Sequence, residues 1–158
     1  MIFYILLNQI TTLFLNINLL TTLTFDSEIA SYLYGGPTED VFFSVTNNRR
    51  TLAIKPSQKE RLSNLLIITR TRKYYFDLKY DGINPHQFIE VKDGVINHAM
   101  KELVTTPDYQ ILEGASSILF INKRDGPVTV NGQKVDKDKT DHFSKGVPII
   151  FEGSRILN

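Results

Sequence analysis

Three histidines, seventeen carboxylates and no cysteine are the groups from which this chain could build a reaction centre. His86, His98 and His142 stand alone. No His-x-His or His-x-x-x-His spacing links two of them, so a metal site has no local support. Without cysteine there are no thiolate nucleophiles, disulfides or zinc–thiolate centres. No serine sits in a Gly-x-Ser-x-Gly elbow. The glycines of "YGGPTED" and "YDG" lack phosphate-loop spacing, and no strand–loop–helix unit follows them. Asp136 and Asp138 in "VDKDKTD" come nearest to a cation site. Lysines interleave them and further acidic ligands are missing, so a solvated loop is the simpler reading. The expectation is no catalytic residue, no metal, no cofactor and no small-molecule substrate, and hence no enzyme.

What remains is a chemistry of surfaces. "SNLLIITRTRKYYFDLKYDG", Ser63 to Gly82, holds two apolar runs joined by a short basic turn, and reads as a β-hairpin. In its second run Tyr74, Phe76, Leu78 and Tyr80 alternate with Lys73, Tyr75, Asp77 and Lys79. The first set has the composition of a core face. The second is polar apart from Tyr75, which makes Tyr75 the aromatic left for a partner. Arg72, Lys73 and Lys79 surround it, and these four are the expected partner-binding residues. With Arg70, the same basic and aromatic groups could form a nucleic-acid face. Eighteen Lys and Arg balance seventeen Asp and Glu, a net charge of +1. That balance gives no general electrostatic reason to bind nucleic acid.

The elements that must position these residues are mostly strands. With 42% hydrophobic and 22% charged residues among 158, the chain is globular in composition and can bury its own core. Short apolar runs recur between turn clusters: 19–26, 28–35, 40–45, 51–56, the hairpin, 87–92, 109–114, 116–123, 127–132 and 147–153. Such a rhythm implies a mainly β fold, a β-sandwich or a barrel-like one, of which the β-sandwich is the expectation here. "DGVINHAMKELVTT", 93–106, is the one helix expected, with Asp93 as N-cap and Ile96, Met100 and Leu103 on one face. "QKVDKDKTDHFSKG", 133–146, reads as an exposed charged loop. Three segments follow: 1–20, either a signal sequence or a first strand; 21–82, a β-sandwich module; and 83–158, a mixed β segment with the helix. For 1–20 the apolar density suggests a secretory core, while alternation in "LFLNINLL" suggests a strand.

From Leu19 to Tyr80 the order of pieces resembles the N-terminal β-sandwich of the CagX/TrbG-like conjugal-transfer family, a core-complex subunit of type IV secretion systems. An apolar strand enters a Gly-rich corner in "LTFDSEIASYLYGG". Then come "TLAIKP" (Thr51–Pro56) and "SNLLIITRTRKYYFDL" (Ser63–Leu78). The resemblance implies a non-catalytic structural subunit, located in the periplasm and associated with the outer membrane. Its implied partners are other copies of itself, further core-complex subunits and an outer-membrane lipoprotein. Two alternatives stay open on the residues alone. One is a phage or virion-type β-rich assembly protein. The other is a nucleic-acid-binding β-barrel using Arg70, Arg72, Lys73 and Tyr75.

Overall fold

A computed structural model describes residues 1–158, and the protein is mainly β. Its strands are β1 (Ile2–Ile5), β2 (Ile10–Leu15), β3 (Thr21–Phe25), β4 (Ile29–Tyr34), β5 (Val41–Thr46), β6 (Thr51–Pro56), β7 (Asn64–Thr69), β8 (Lys73–Tyr80) and β9 (Phe88–Asp93). They continue with β10 (Lys101–Thr105), β11 (Tyr109–Glu113), β12 (Ser117–Asn122), β13 (Val128–Val130), β14 (Gln133–Val135), β15 (Thr140–Ser144), β16 (Ile149–Phe151) and β17 (Ser154–Leu157). The only helical element is a single 3-10 turn, Thr38–Asp40. No helix is long and apolar enough to cross a membrane.

The chain folds into two compact units. The first comprises Met1–Ile2 and Ile10–Lys92. It carries two sheets, with the strand orders β9-β3-β6-β5 and β2-β8-β7-β4. Period-two alternation explains them: β8 reads exposed–buried from Lys73 through Leu78, and β3 alternates buried and half-buried. The buried sets of the two sheets form one core of Leu13, Leu15, Leu23, Leu52, Ile54, Leu65, Ile67 and Phe76. Aromatic rings tie the sheets together. Phe25 of β3 meets Tyr74 of β8 at 5.1 Å between centroids, and Phe43 of β5 meets Tyr32 of β4 at 5.2 Å. Most neighbouring strands are antiparallel, but β2 runs parallel to β8 and β3 parallel to β9. The polar "TNNRR" turn between β5 and β6 is tight. Asn47, Asn48 and Arg49 all take left-handed φ values of 55°, 53° and 65°, which asparagine tolerates better than most residues.

The second unit comprises Phe3–Gln9 and Asp93–Asn158. Its sheets run β10-β11-β12-β15 and β14-β13-β16-β17. Phe151 packs on Tyr109 at 5.0 Å and on Phe120 at 5.8 Å, joining the two sheets. Arg124 lies over the Phe151 ring at 4.9 Å and beside Asp108 at 3.3 Å. The hydrogen bond to Asp108 raises the guanidinium above its ordinary pKa. Buried Asn122 fastens the segment that follows it. Its Nδ2 donates to the carbonyls of Gly126 and Val135, and its Oδ1 accepts from the Arg124 N–H.

Two expectations for this unit are corrected. The helix over 93–106 does not form. Asp93 is the last residue of β9, and Lys101–Thr105 is strand β10, paired with β11. The N–H groups a helix would use are taken locally. Val95 donates to the Ser116 hydroxyl, Asn97 to the Ser117 hydroxyl and Ala99 to the Asn97 side chain. Such side-chain acceptors compete with the helical ladder, and Ile96 and Leu103 stay exposed instead of forming a buried stripe. The charged segment 133–146 is not a simple loop either. It contains β14 and β15, with Val135, Phe143 and Ser144 buried. Two aspartates and two lysines, Asp136 to Lys139, form the exposed turn joining them.

Candidate functional site

The partner-binding residues expected from sequence lie at the turn and outer face of β8. Tyr74, Phe76 and Leu78 point into the core of the first unit, while Lys73, Tyr75 and Lys79 are exposed. The turn before β8 is built by Thr69. Its Oγ1 donates to the Arg72 carbonyl and accepts from the Arg72 N–H, setting the chain reversal.

The basic residues do not act as one patch. Arg72 stacks over the Tyr74 ring at 4.3 Å, a cation–π contact that holds it against the hairpin. Arg70 pairs with Glu28 at 3.0 Å. Lys79 stands 3.8 Å from Asp77, a long exposed pair of small energetic weight. Lys73 and Tyr75 are thus the pair most available to another molecule.

Tyr75 belongs to a larger feature that one strand's alternation does not reveal. Cα register places Ile10 of β2 opposite Tyr75, Tyr75 opposite Leu66 of β7, and Leu66 opposite Leu33 of β4. Side chains in register on neighbouring strands share a face. The outer face of this sheet therefore carries an unbroken apolar row across all four strands. Ile10 is 58% exposed, Tyr75 44% and Leu33 64%, with Leu66 half-buried between them. On one side it is flanked by Lys73 and Ser31 with half-buried Ile68 between them; on the other lies a polar row of Thr12, Asp77 and Asn64. Ile10, Leu66 and Leu33 were missed from sequence because their row runs across strands far apart in the chain. The available signal was the doubled apolar residues of "NLLIIT", where Leu66 and Ile68 occupy the outward positions.

A second feature lies at the edge of the same unit. β4 and β5 are the end strands of their respective sheets. A groove of about 480 Å³ runs along them, walled by Tyr32, Tyr34 and Phe43, with exposed Leu33 and Phe42 at its rim. Arg49 covers the start of the β4 edge, donating from Nε to the Ile29 carbonyl and from a terminal nitrogen to that of Ala30. A side chain on edge carbonyls blunts unwanted strand pairing, and here it leaves the later part of β4 uncovered.

The histidines are dispersed. His86 is buried in the first unit, where its Nδ1 accepts the Phe14 N–H. His142 lines a groove of about 620 Å³ in the second unit, with Leu7, Val95 and Ile96 exposed along it. No group of three His, Asp or Glu side chains is arranged to hold a metal ion. No family model matches the sequence, and no curated protein matches it.

Proposed function

We propose that this chain is a non-catalytic structural subunit that acts by protein–protein assembly, in a secretion or conjugation channel of the type IV class. The observation that carries the assembly reading is the solvent-facing apolar row Ile10–Tyr75–Leu66–Leu33. Exposed contiguous apolar surface on a β-sheet favours contact with another protein. Edge strands beside an aromatic groove add a second place for such contact. The channel, the periplasmic location with outer-membrane association, and the partners rest on the resemblance over Leu19–Tyr80. Those partners are other copies, core-complex subunits and an outer-membrane lipoprotein. The pairings of Arg70 with Glu28 and Arg72 with Tyr74 weigh against the nucleic-acid alternative, since both cations already have partners within the fold.

The test is cross-linking in cells at native expression, followed by mass spectrometry of what is captured. The expected result is higher-order species in the envelope fraction that contain this chain with channel subunits. Recovery of monomer alone removes the assembly reading. Capture with capsid or tail proteins moves the function to the phage-type alternative.

A further inference from the structure

The outer face of the β2-β8-β7-β4 sheet has a charge pattern as well as an apolar row. On β8, Lys73 comes two residues before Tyr75 and Asp77 two residues after, all three on the same outward face. Two residues along a strand span about 7 Å, so opposite charges stand at equal distances either side of the row. We infer that this face pairs with the same face of a second copy, about a two-fold axis parallel to the row. This deepens the assembly reading above and rests on it.

The charges select that axis. A two-fold along the row lays β8 of one copy antiparallel over β8 of the other. Tyr75 then meets Tyr75, Leu66 meets Leu66 and Leu33 meets Leu33. Lys73 of each copy falls over Asp77 of the other, giving two opposite-charge contacts. An axis parallel to the strands would set Lys73 over Lys73 and Asp77 over Asp77, which repel. Face-to-face sheets sit about 10 Å apart with strands within about 30° of alignment, a gap that lysine and aspartate bridge from opposite sides. The Lys79–Asp77 pair at 3.8 Å is exposed and weak enough to yield Asp77 to the incoming lysine. The isologous contact follows the commonest symmetry of homo-oligomers. One row of four side chains covers much less than the roughly 800 Å² per partner of a stable interface. The pairing is accordingly weak in dilute solution and grows where copies are concentrated.

The experiment is sedimentation equilibrium of the full chain from micromolar to millimolar concentration, with Lys73→Asp, Asp77→Lys and the double exchange K73D/D77K. Both sites are on the surface, and unchanged thermal melts confirm folding of each variant. The wild type is expected to dimerise. Each single variant, now carrying two like charges either side of the row, dimerises at least tenfold more weakly. The double exchange restores the dimer, and so does an equimolar mixture of the two single variants, which pairs as heterodimer. Leu66→Asp abolishes association. A wild type that stays monomeric to millimolar concentration overturns the inference. So does association that the single variants leave unchanged, or a mixture that fails to re-associate. Any of these alongside intact cross-linking in cells overturns only the two-fold contact. If cross-linking fails too, the assembly reading falls with it.

Discussion

The imidazole Nδ1 of His86 accepts the backbone N–H of Phe14 at 3.0 Å, closing a contact between residues 72 apart in sequence. The same two residues are joined through their backbones, His86 N–H to Phe14 carbonyl, at 2.8 Å. The His86 carbonyl then accepts from Thr21 Oγ1 at 2.7 Å. One residue of a turn thus ties the end of β2 and the start of β3 to the approach of β9. His86→Ala should destabilise the protein by about 1–3 kcal/mol, because the buried Phe14 N–H loses its acceptor. His86→Asn offers Oδ1 near the place of Nδ1 and should cost about 1 kcal/mol less than alanine. Urea melts of the two variants check the order.

Phe76 and Tyr75 are adjacent and face opposite ways. Phe76 is fully buried, so Phe76→Ala should cost about 3–5 kcal/mol. Tyr75→Ala should stay within roughly 1 kcal/mol in stability. It should weaken association instead, since tyrosine is favoured at interfaces. Denaturant melts of both, with cross-linking of Tyr75→Ala, separate the two roles.

Residues 1–20 include β1 and β2, and β2 contributes Leu13 and Leu15 to the core. A chain starting at Thr21 should lose cooperative unfolding of the first unit, because β8 loses its parallel neighbour and the core loses two leucines. Leu15→Ala alone should cost about 2–5 kcal/mol. Near-UV circular dichroism of the shortened chain, and the mature N-terminus recovered from cells, check this together.

Asn122 serves two carbonyls and one N–H from a fully buried position. Asn122→Asp replaces the donating nitrogen with an acceptor facing both carbonyls. It should destabilise by at least as much as Asn122→Ala, about 2–4 kcal/mol for several buried groups left without partners. Thermal melts at neutral pH give the comparison.

Strands were legible wherever alternation was local. The pattern of "KYYFDLKY" put Phe76 inside and Tyr75 outside, as found. The helix over 93–106 was misread because Ile96, Met100 and Leu103 imitate a helical stripe. The serines that intercept its N–H groups lie about twenty residues on, beyond the reach of periodicity. β14 and β15 were hidden by the charges of the turn between them. The apolar row was invisible for a different reason. It depends on the parallel register of β2 with β8, and no stretch of sequence holds Ile10, Leu33, Leu66 and Tyr75 together.

Those parallel pairings also impose a schedule on synthesis. β2 cannot dock until β8 has been made, and β3 lacks its β9 neighbour for as long. At about 5–20 residues per second, the apolar stretch around Leu13 and Leu15 waits on the order of several seconds without its strand partner. Pairing of such distant segments is itself slow, since loop closure precedes the contacts that reward it. The stretch around Leu13 and Leu15 is therefore exposed apolar chain throughout that interval.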